Sequence, residues 1–262
     1  MLRKFPKVYG DVVHRKRDYW IAAYTFFCVA VSLLLDANGT LLLQNILGVI
    51  AWTSLIFMLR GENREIKMQV MIAVAFATAG EHFASIYMGG YTYRFENVPM
   101  YVPPGHGMVY LTAVALARSG FFMKYAREIA IFVVASCGLW SLWGISELSG
   151  HGDQVGAILY VAFLIYLFKG RSPMVYLGAF FITVWLEIIG TALGTWRWAE
   201  LEPIFELTQG NPPSGVSAWY CLVDSVAIGT APVFLRFFDK IGNSFKQTRS
   251  KKTDSKVVLN KK

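Results

Sequence analysis

Residues 81–107 read EHFASIYMGGYTYRFENVPMYVPPGHG, and this stretch decides the fold. It starts inside an apolar segment with an acid, Glu81. It leaves through Gly89, Gly90, Tyr91 and Tyr93, crosses a loop and re-enters apolar sequence at Pro103-Pro104. Residues 187–215, EIIGTALGTWRWAELEPIFELTQGNPPSG, repeat the same grammar. Each copy has an acid, a glycine, an aromatic-x-aromatic triplet (Tyr91/Tyr93, Trp196/Trp198), a basic residue (Arg94, Arg197) and a Pro-Pro pair. Glu81 and Glu187 are 106 residues apart, so the chain reads as two related halves.

Composition places both copies in a membrane. Of 262 residues, 55% are apolar and 16% charged, with a mean hydropathy of +0.43. A soluble domain carries about 25% charged residues. The apolar residues come in long runs, the pattern of a polytopic membrane protein. We expect an all-α helix bundle of about eight transmembrane spans: 20–35, 41–59, 68–90, 106–123, 129–148, 155–168, 174–196 and 219–238. Residues 1–19 form a basic amino terminus, 20–238 the membrane domain and 239–262 a basic, disordered tail. The pseudo-repeats cover about 20–123 and 129–238. Four spans each make them parallel repeats, related by an axis along the membrane normal.

Charge supports this count. With the amino terminus inside, 23 of the 25 Lys and Arg residues fall on the cytoplasmic side. Only Arg94 and Arg197, one in each long loop, lie outside. Retention of basic residues on the cytoplasmic side orients membrane proteins in this way. Both termini are therefore expected in the cytoplasm of a multi-pass cell-membrane protein. The net charge of +8 is read as orientation, with lipids rather than nucleic acid as neighbours.

The interior acids carry the chemistry. Glu81 and Glu187 each lie nine residues before the expected end of a span, about 14 Å below the outer surface. Asp224 is five residues into the last span, about 8 Å deep. An ionised carboxylate in that setting costs about 2.5–3.5 kcal/mol or more, so these groups face the interior, hydrogen-bonded or neutral. Small and hydroxyl residues share their faces: Ala77, Thr78 and Ser85 with Glu81, and Thr183, Thr191 and Gly194 with Glu187. We take Glu81, Glu187 and Asp224 as candidate catalytic residues. Tyr91, Tyr93, His106, Trp196, Trp198 and Asn211 are candidates for lining a substrate. Alternatively the acids tie helices together, the aromatics anchor the interface and Asn211 shapes a turn. His82 points about 100° away from Glu81 and reads as packing.

Other chemistries lack their signatures. Cys28, Cys137 and Cys221 stand singly in apolar runs, and His14, His82, His106 and His151 are scattered. Neither a disulfide framework nor a metal site is expected, and no cofactor motif such as a P-loop or GxGxxG is present.

The run EHFASIYMGGYTYRFENVPMYVP resembles the acid, glycine, Tyr-x-Tyr and VP-x-x-[VI]-P run of the bacterial and archaeal carotenoid hydratase family. TWRW and NPPSG are similar to that family's later Trp-x-Trp and Pro/Asn segment. The resemblance covers about a fifth of the chain. It implies an integral membrane enzyme that adds water across a terminal isoprenoid double bond without a cofactor. Such chemistry needs a neutral carboxylic acid to protonate the alkene, aromatic faces to stabilise a cation, and a second acid or base. The same inventory serves a cyclase, an isomerase or a proton-coupled transporter of a small or lipophilic solute. A structural or assembly subunit is the third class.

Overall fold

In the computed structural model, residues 2–150 and 152–259 are described, those beyond Ile241 for their backbone alone. A helix covers each of the eight apolar runs. In chain order the elements are α1 (Lys16–Ala37), α2 (Leu41–Leu59), α3 (Arg64–Glu81), β1 (Tyr91–Tyr93), α4 (Val102–Arg118), α5 (Gly120–Lys124) and α6 (Ala126–Ile145). They continue with α7 (Gln154–Lys169), α8 (Pro173–Ala192), β2 (Trp196–Trp198) and α9 (Ser217–Leu259). The tail expected at 239–262 falls almost wholly beyond the last described side chain; its backbone continues α9 to Leu259, and residues 260–262 and His151 lie outside the described residues.

Among the described residues six helices are long and apolar enough to cross a membrane: α1, α2, α3 with its extension to Tyr87, α6, α8 and α9 as far as Ile241. The other two of the eight are shorter, 17 residues for α4 and 16 for α7. Large apolar side chains stand fully outward, among them Leu42, Val49 and Phe57 on α2, and Ile131, Leu139 and Leu142 on α6. Such an apolar girdle fits a membrane protein and would be a liability in water.

Local signals start the helices where they start. Thr40 caps α2 by accepting from Leu43 N, Asn63 caps α3 through Ile66 N, and Pro103 and Pro104 occupy the first turn of α4. A first-turn proline forfeits no intrahelical hydrogen bond.

Four helices form the centre. α3 packs along α9 and α4 along α8, while α3 and α4 also pack together, as do α8 and α9. α4 is the most enclosed, buried without interruption from Gly107 to Ala115. It approaches α8 closely at Gly178, where an added Cβ would sit 2.5 Å from the Ala113 carbonyl oxygen. α1 and α2 flank one side of this centre, and α6 and α7 the other.

Each end of the bundle is tied by buried ionic or carboxylate groups. At the end rich in arginine and lysine, Arg118 bonds Asp18 (Nε to Oδ1, 2.8 Å) and both oxygens of Glu62 (2.9 and 2.7 Å), and Arg17 also pairs with Glu62. Here Phe5 inserts its ring among Phe122, Ala126 and Phe168, linking the amino terminus to the base of α6 and α7. At the opposite end, Asp36 accepts from Gln44 Nε2 and Tyr101 OH, both at 3.0 Å. Asp153 accepts from Gly156 N (3.0 Å), Gly210 N (2.8 Å) and Ser214 N (2.8 Å). Asp36 thus pins the first long loop and Asp153 the second.

Candidate functional site: a paired carboxylate and aromatic core

The site forms where the chain doubles back after α3 and after α8. Past Glu81 the helix widens into a π-helical segment, His82–Tyr87. The chain then turns at Gly89, and after α8 it turns at Gly194. Both glycines lie in the left-handed region, at φ +71° and +69°. A side chain there costs about 1–2 kcal/mol. The turns send β1 and β2 back over the helices they follow, and the two strands pair antiparallel, Tyr91 opposite Trp198 and Tyr93 opposite Trp196. Alternation puts Tyr91, Tyr93, Trp196 and Trp198 on the inner face, with Thr92 and Arg197 outside.

All four inner side chains aim their polar atoms at a carboxylate. Tyr91 OH (2.6 Å) and Tyr93 OH (2.7 Å) donate to Glu81 Oε2. Trp196 Nε1 (3.1 Å) and Trp198 Nε1 (3.2 Å) donate to Glu187 Oε2. The remaining oxygens have partners from the following helices: Glu81 Oε1 meets His106 Nε2 on α4 at 2.7 Å, and Glu187 Oε1 accepts from Tyr220 OH on α9 at 3.1 Å. The His106 and Tyr220 rings stack, with centroids 5.3 Å apart and planes 23° apart. Tyr91 also lies against Trp198, at 4.7 Å. Gly190 leaves room for the Trp196 ring, which an added Cβ would meet at 1.9 Å.

These donors constrain where protons sit. An indole N–H can only donate. Glu187 Oε2 accepts two of them, so a proton bound by this carboxyl has only Oε1 to occupy, against Tyr220. Glu187 is 4% exposed, and the five tyrosines and tryptophans are likewise buried. The side chains of Glu81 and His106 retain 11% exposure each. The Glu81–His106 corner is the least enclosed part of the core.

No family model, curated protein or solved structure matches the chain.

Of the residues expected to form the site, Glu81, Glu187, Tyr91, Tyr93, His106, Trp196 and Trp198 come together. Asn211 is exposed and holds the frame: its Oδ1 accepts from Trp198 N at 3.0 Å, fixing β2. His82 bonds back to the Thr78 carbonyl and stays exposed, as its helical position implies. Asp224 is not among the groups that bond in the core. It lies one helical turn beyond Tyr220 on α9, buried, with Oδ2 unpartnered, within electrostatic reach of Tyr110 and Tyr176. The expected depth order also changes. The helices end at Tyr87 and Ala192, earlier than the apolar runs implied, so Glu81 and Glu187 are six and five residues from their ends, about 9 and 8 Å. Asp224 is seven residues from the start of α9, about 10 Å, and is no shallower than the glutamates. Among the described residues no three His, Cys, Asp or Glu side chains gather as a metal would require.

Tyr220 is the core residue that sequence reasoning missed. Its signal was there: it precedes Asp224 by four residues and so shares its helix face. The run SAWYCLVD does not say which of its aromatics turns inward until α8 and α9 are packed.

Proposed function

We propose that this protein is a membrane enzyme that uses the paired carboxylates to start proton-initiated chemistry, namely hydration, isomerisation or cyclisation, on a lipophilic, isoprenoid substrate. The observation that carries this reading is the core itself. Two carboxyl groups, within electrostatic reach of each other, share a wall of tyrosine and tryptophan, and one corner, Glu81 with His106, is less enclosed than the rest. Glu81 delivers its proton to the terminal alkene carbon. The adjoining carbon becomes a tertiary cation, which the electron-rich faces of the tyrosines and tryptophans favour. Water adds to that cation, and the proton it sheds returns to the carboxylate. Glu187, sealed behind Tyr220, holds the far side of the core in place. The local resemblance to carotenoid hydratases agrees with this reaction class.

The architecture proposed with it is eight spans in two parallel repeats, both termini cytoplasmic, in the cell membrane. Several observations support it. The strand register exchanges Tyr91–Trp198 for Trp196–Tyr93 when the halves are swapped, as a two-fold axis through the strand pair requires. The same swap turns the α3–α9 contact into the α8–α4 contact. Gly89 and Gly194 turn the chain alike, and Asp36 and Asp153 each pin a long loop.

Expression in a host that accumulates linear carotenoids or polyprenyl chains tests the function. The expected product is heavier by one water, or is a cyclised isomer, and Glu81→Gln abolishes it. A proton-coupled transporter is the second reading, favoured by Asp224 and by the chain Tyr110–Gln69–Glu65 that leads toward the basic end. An unchanged isoprenoid profile together with proton-dependent solute uptake by proteoliposomes decides for it.

A further inference from the structure

We propose that His106 is the proton gate of the two-carboxylate core, passing protons from water to Glu81 and, through Glu81, serving a core that is otherwise sealed. The inference rests on the reading of the core as proton chemistry. It adds the route by which Glu81 receives its proton from water before the reaction starts.

The argument is one of elimination among the core's own atoms. Indole nitrogens cannot accept a proton, and a phenol accepts one only in strong acid. That removes Trp196, Trp198, Tyr91, Tyr93 and Tyr220 as carriers from water. Glu187 is enclosed by β2 and α9. Glu81 has Oε2 covered by two phenol donors and Oε1 covered by His106. Its open edge is therefore shared with the imidazole that sits on its remaining oxygen. Imidazole takes a proton on one nitrogen and releases it from the other near neutral pH. In His106, Nε2 is on Glu81 at 2.7 Å, while Nδ1 has no hydrogen-bond partner among the described residues.

The step balances as a reversible exchange. On loading, a water proton binds Nδ1 as the Nε2 proton moves to Glu81 Oε1; unloading runs the same two transfers in reverse and restores the Nε2–H tautomer. No electrons move and no co-reactant is consumed. The groups facing the imidazole are Glu81 from α3 and the Tyr220 ring from α9, with Tyr91 and Tyr93 of β1 behind Glu81. None of the others is a competing base. The Pro-Pro-Gly start of α4 fixes this geometry by setting His106 in the helix's first turns, and the Tyr220 stack holds the ring plane.

The test needs no substrate. In purified wild-type protein the infrared carboxyl band that disappears in Glu81→Gln is followed after a pH jump. His106→Gln keeps an N–H donor for Glu81 but cannot relay, so the band should respond at least about tenfold more slowly. Free imidazole should restore the rate in His106→Gly. A His106→Gln band that follows the jump at the wild-type rate overturns the gate. Should either variant fail to fold, nitrogen-15 histidine spectra of the wild type decide: the neutral imidazole should carry its proton on Nε2 while the Glu81 carboxyl band is absent and on Nδ1 once it has appeared, and a tautomer that stays the same across that change overturns the gate. A slowed band with an unaltered isoprenoid profile in the producing host leaves the gate standing and removes the enzyme reading alone.

Discussion

Glu187 shows how much of the core depends on single oxygen atoms. Three donors converge on its two oxygens inside the protein. Glu187→Gln keeps an oxygen for the two indoles and turns an amide toward Tyr220, whose hydroxyl can accept. We expect its melting temperature to stay near wild type. Glu187→Ala strands three buried donors and should cost about 3 kcal/mol or more. Equal melting of the two variants would refute this account of the core. At the other end Arg118 neutralises Asp18 and Glu62 together, and Arg118→Met should cost about 3 kcal/mol by leaving both carboxylates buried and poorly paired. Burial alone would push the Glu62 carboxyl up, but hydrogen bonds from Arg118 and Arg17 outweigh it and hold Glu62 below the usual carboxylate range. A carboxyl with a lowered folded-state pKa stabilises the fold above its unfolded value and loses that contribution as pH falls through the folded one. Thermal melts should therefore show wild-type stability falling below about pH 4, and Arg118→Met should flatten that acid limb. The acids and aromatics of the Glu187 core were legible in the sequence, but neither the Arg118 network nor the Asp153 knot was. Asp18, Glu62 and Arg118 lie in three separate segments, and Asp153 looks like an ordinary turn residue until Gly210 and Ser214 fold onto it.

The elements between the acids and their aromatics differ by one residue: ten positions separate Glu81 from Tyr91, and nine separate Glu187 from Trp196. A π-helical turn takes up an extra residue, and the segment His82–Tyr87 does so here. Deleting the outward-facing Ile86 should return this segment to α-helical spacing and keep Tyr91 and Tyr93 on Glu81. Deleting Ile188 from α8, which has no residue to spare, should pull Trp196 and Trp198 off Glu187. Melting temperatures separate the cases, and equal losses would refute the idea. A second element-scale test is Gly190→Ala, whose Cβ would collide with the rigid Trp196 ring and should cost about 2 kcal/mol while shifting tryptophan fluorescence. Gly80→Ala on α3 meets nothing within 4 Å and is the matched control. Helices were legible because apolar runs of this length have few alternatives. The strand pair was not: three residues carry too weak a pattern, and each strand exists only because its partner arrives from the other half. The one-residue difference in spacing was visible, but a spacing does not say whether a loop or a helix absorbs it.

At the scale of the whole molecule, two helix lengths bear on how many helices cross. α4 and α7 are about 26 and 24 Å long, short of a hydrocarbon core of about 30 Å, and either has to thin the bilayer locally or stop part-way. Buried charge favours crossing. Asp153 at the start of α7 is tied to the second long loop, while Lys169 at its end sits with the basic groups, and Lys4 reaches the Gly170 carbonyl there. The two ends of α7 thus belong to the two ends of the bundle. Single cysteines in a background lacking Cys28, Cys137 and Cys221 measure this directly with an impermeant thiol reagent on intact cells. Exposed positions Glu96, Leu148 and Glu200 should label from outside, and Tyr9, Lys124 and Arg171 only after the membrane is opened. Glu96 and Lys124 bracket α4, and Leu148 and Arg171 bracket α7. Labelling of both members of a pair from one side would remove that helix from the count. Loss of α4 would make the second of the two proposed repeats enter the membrane opposite to the first, and loss of α7 would reverse α8 against α3. The pairing of β1 with β2 would need a cause other than a two-fold axis along the membrane normal.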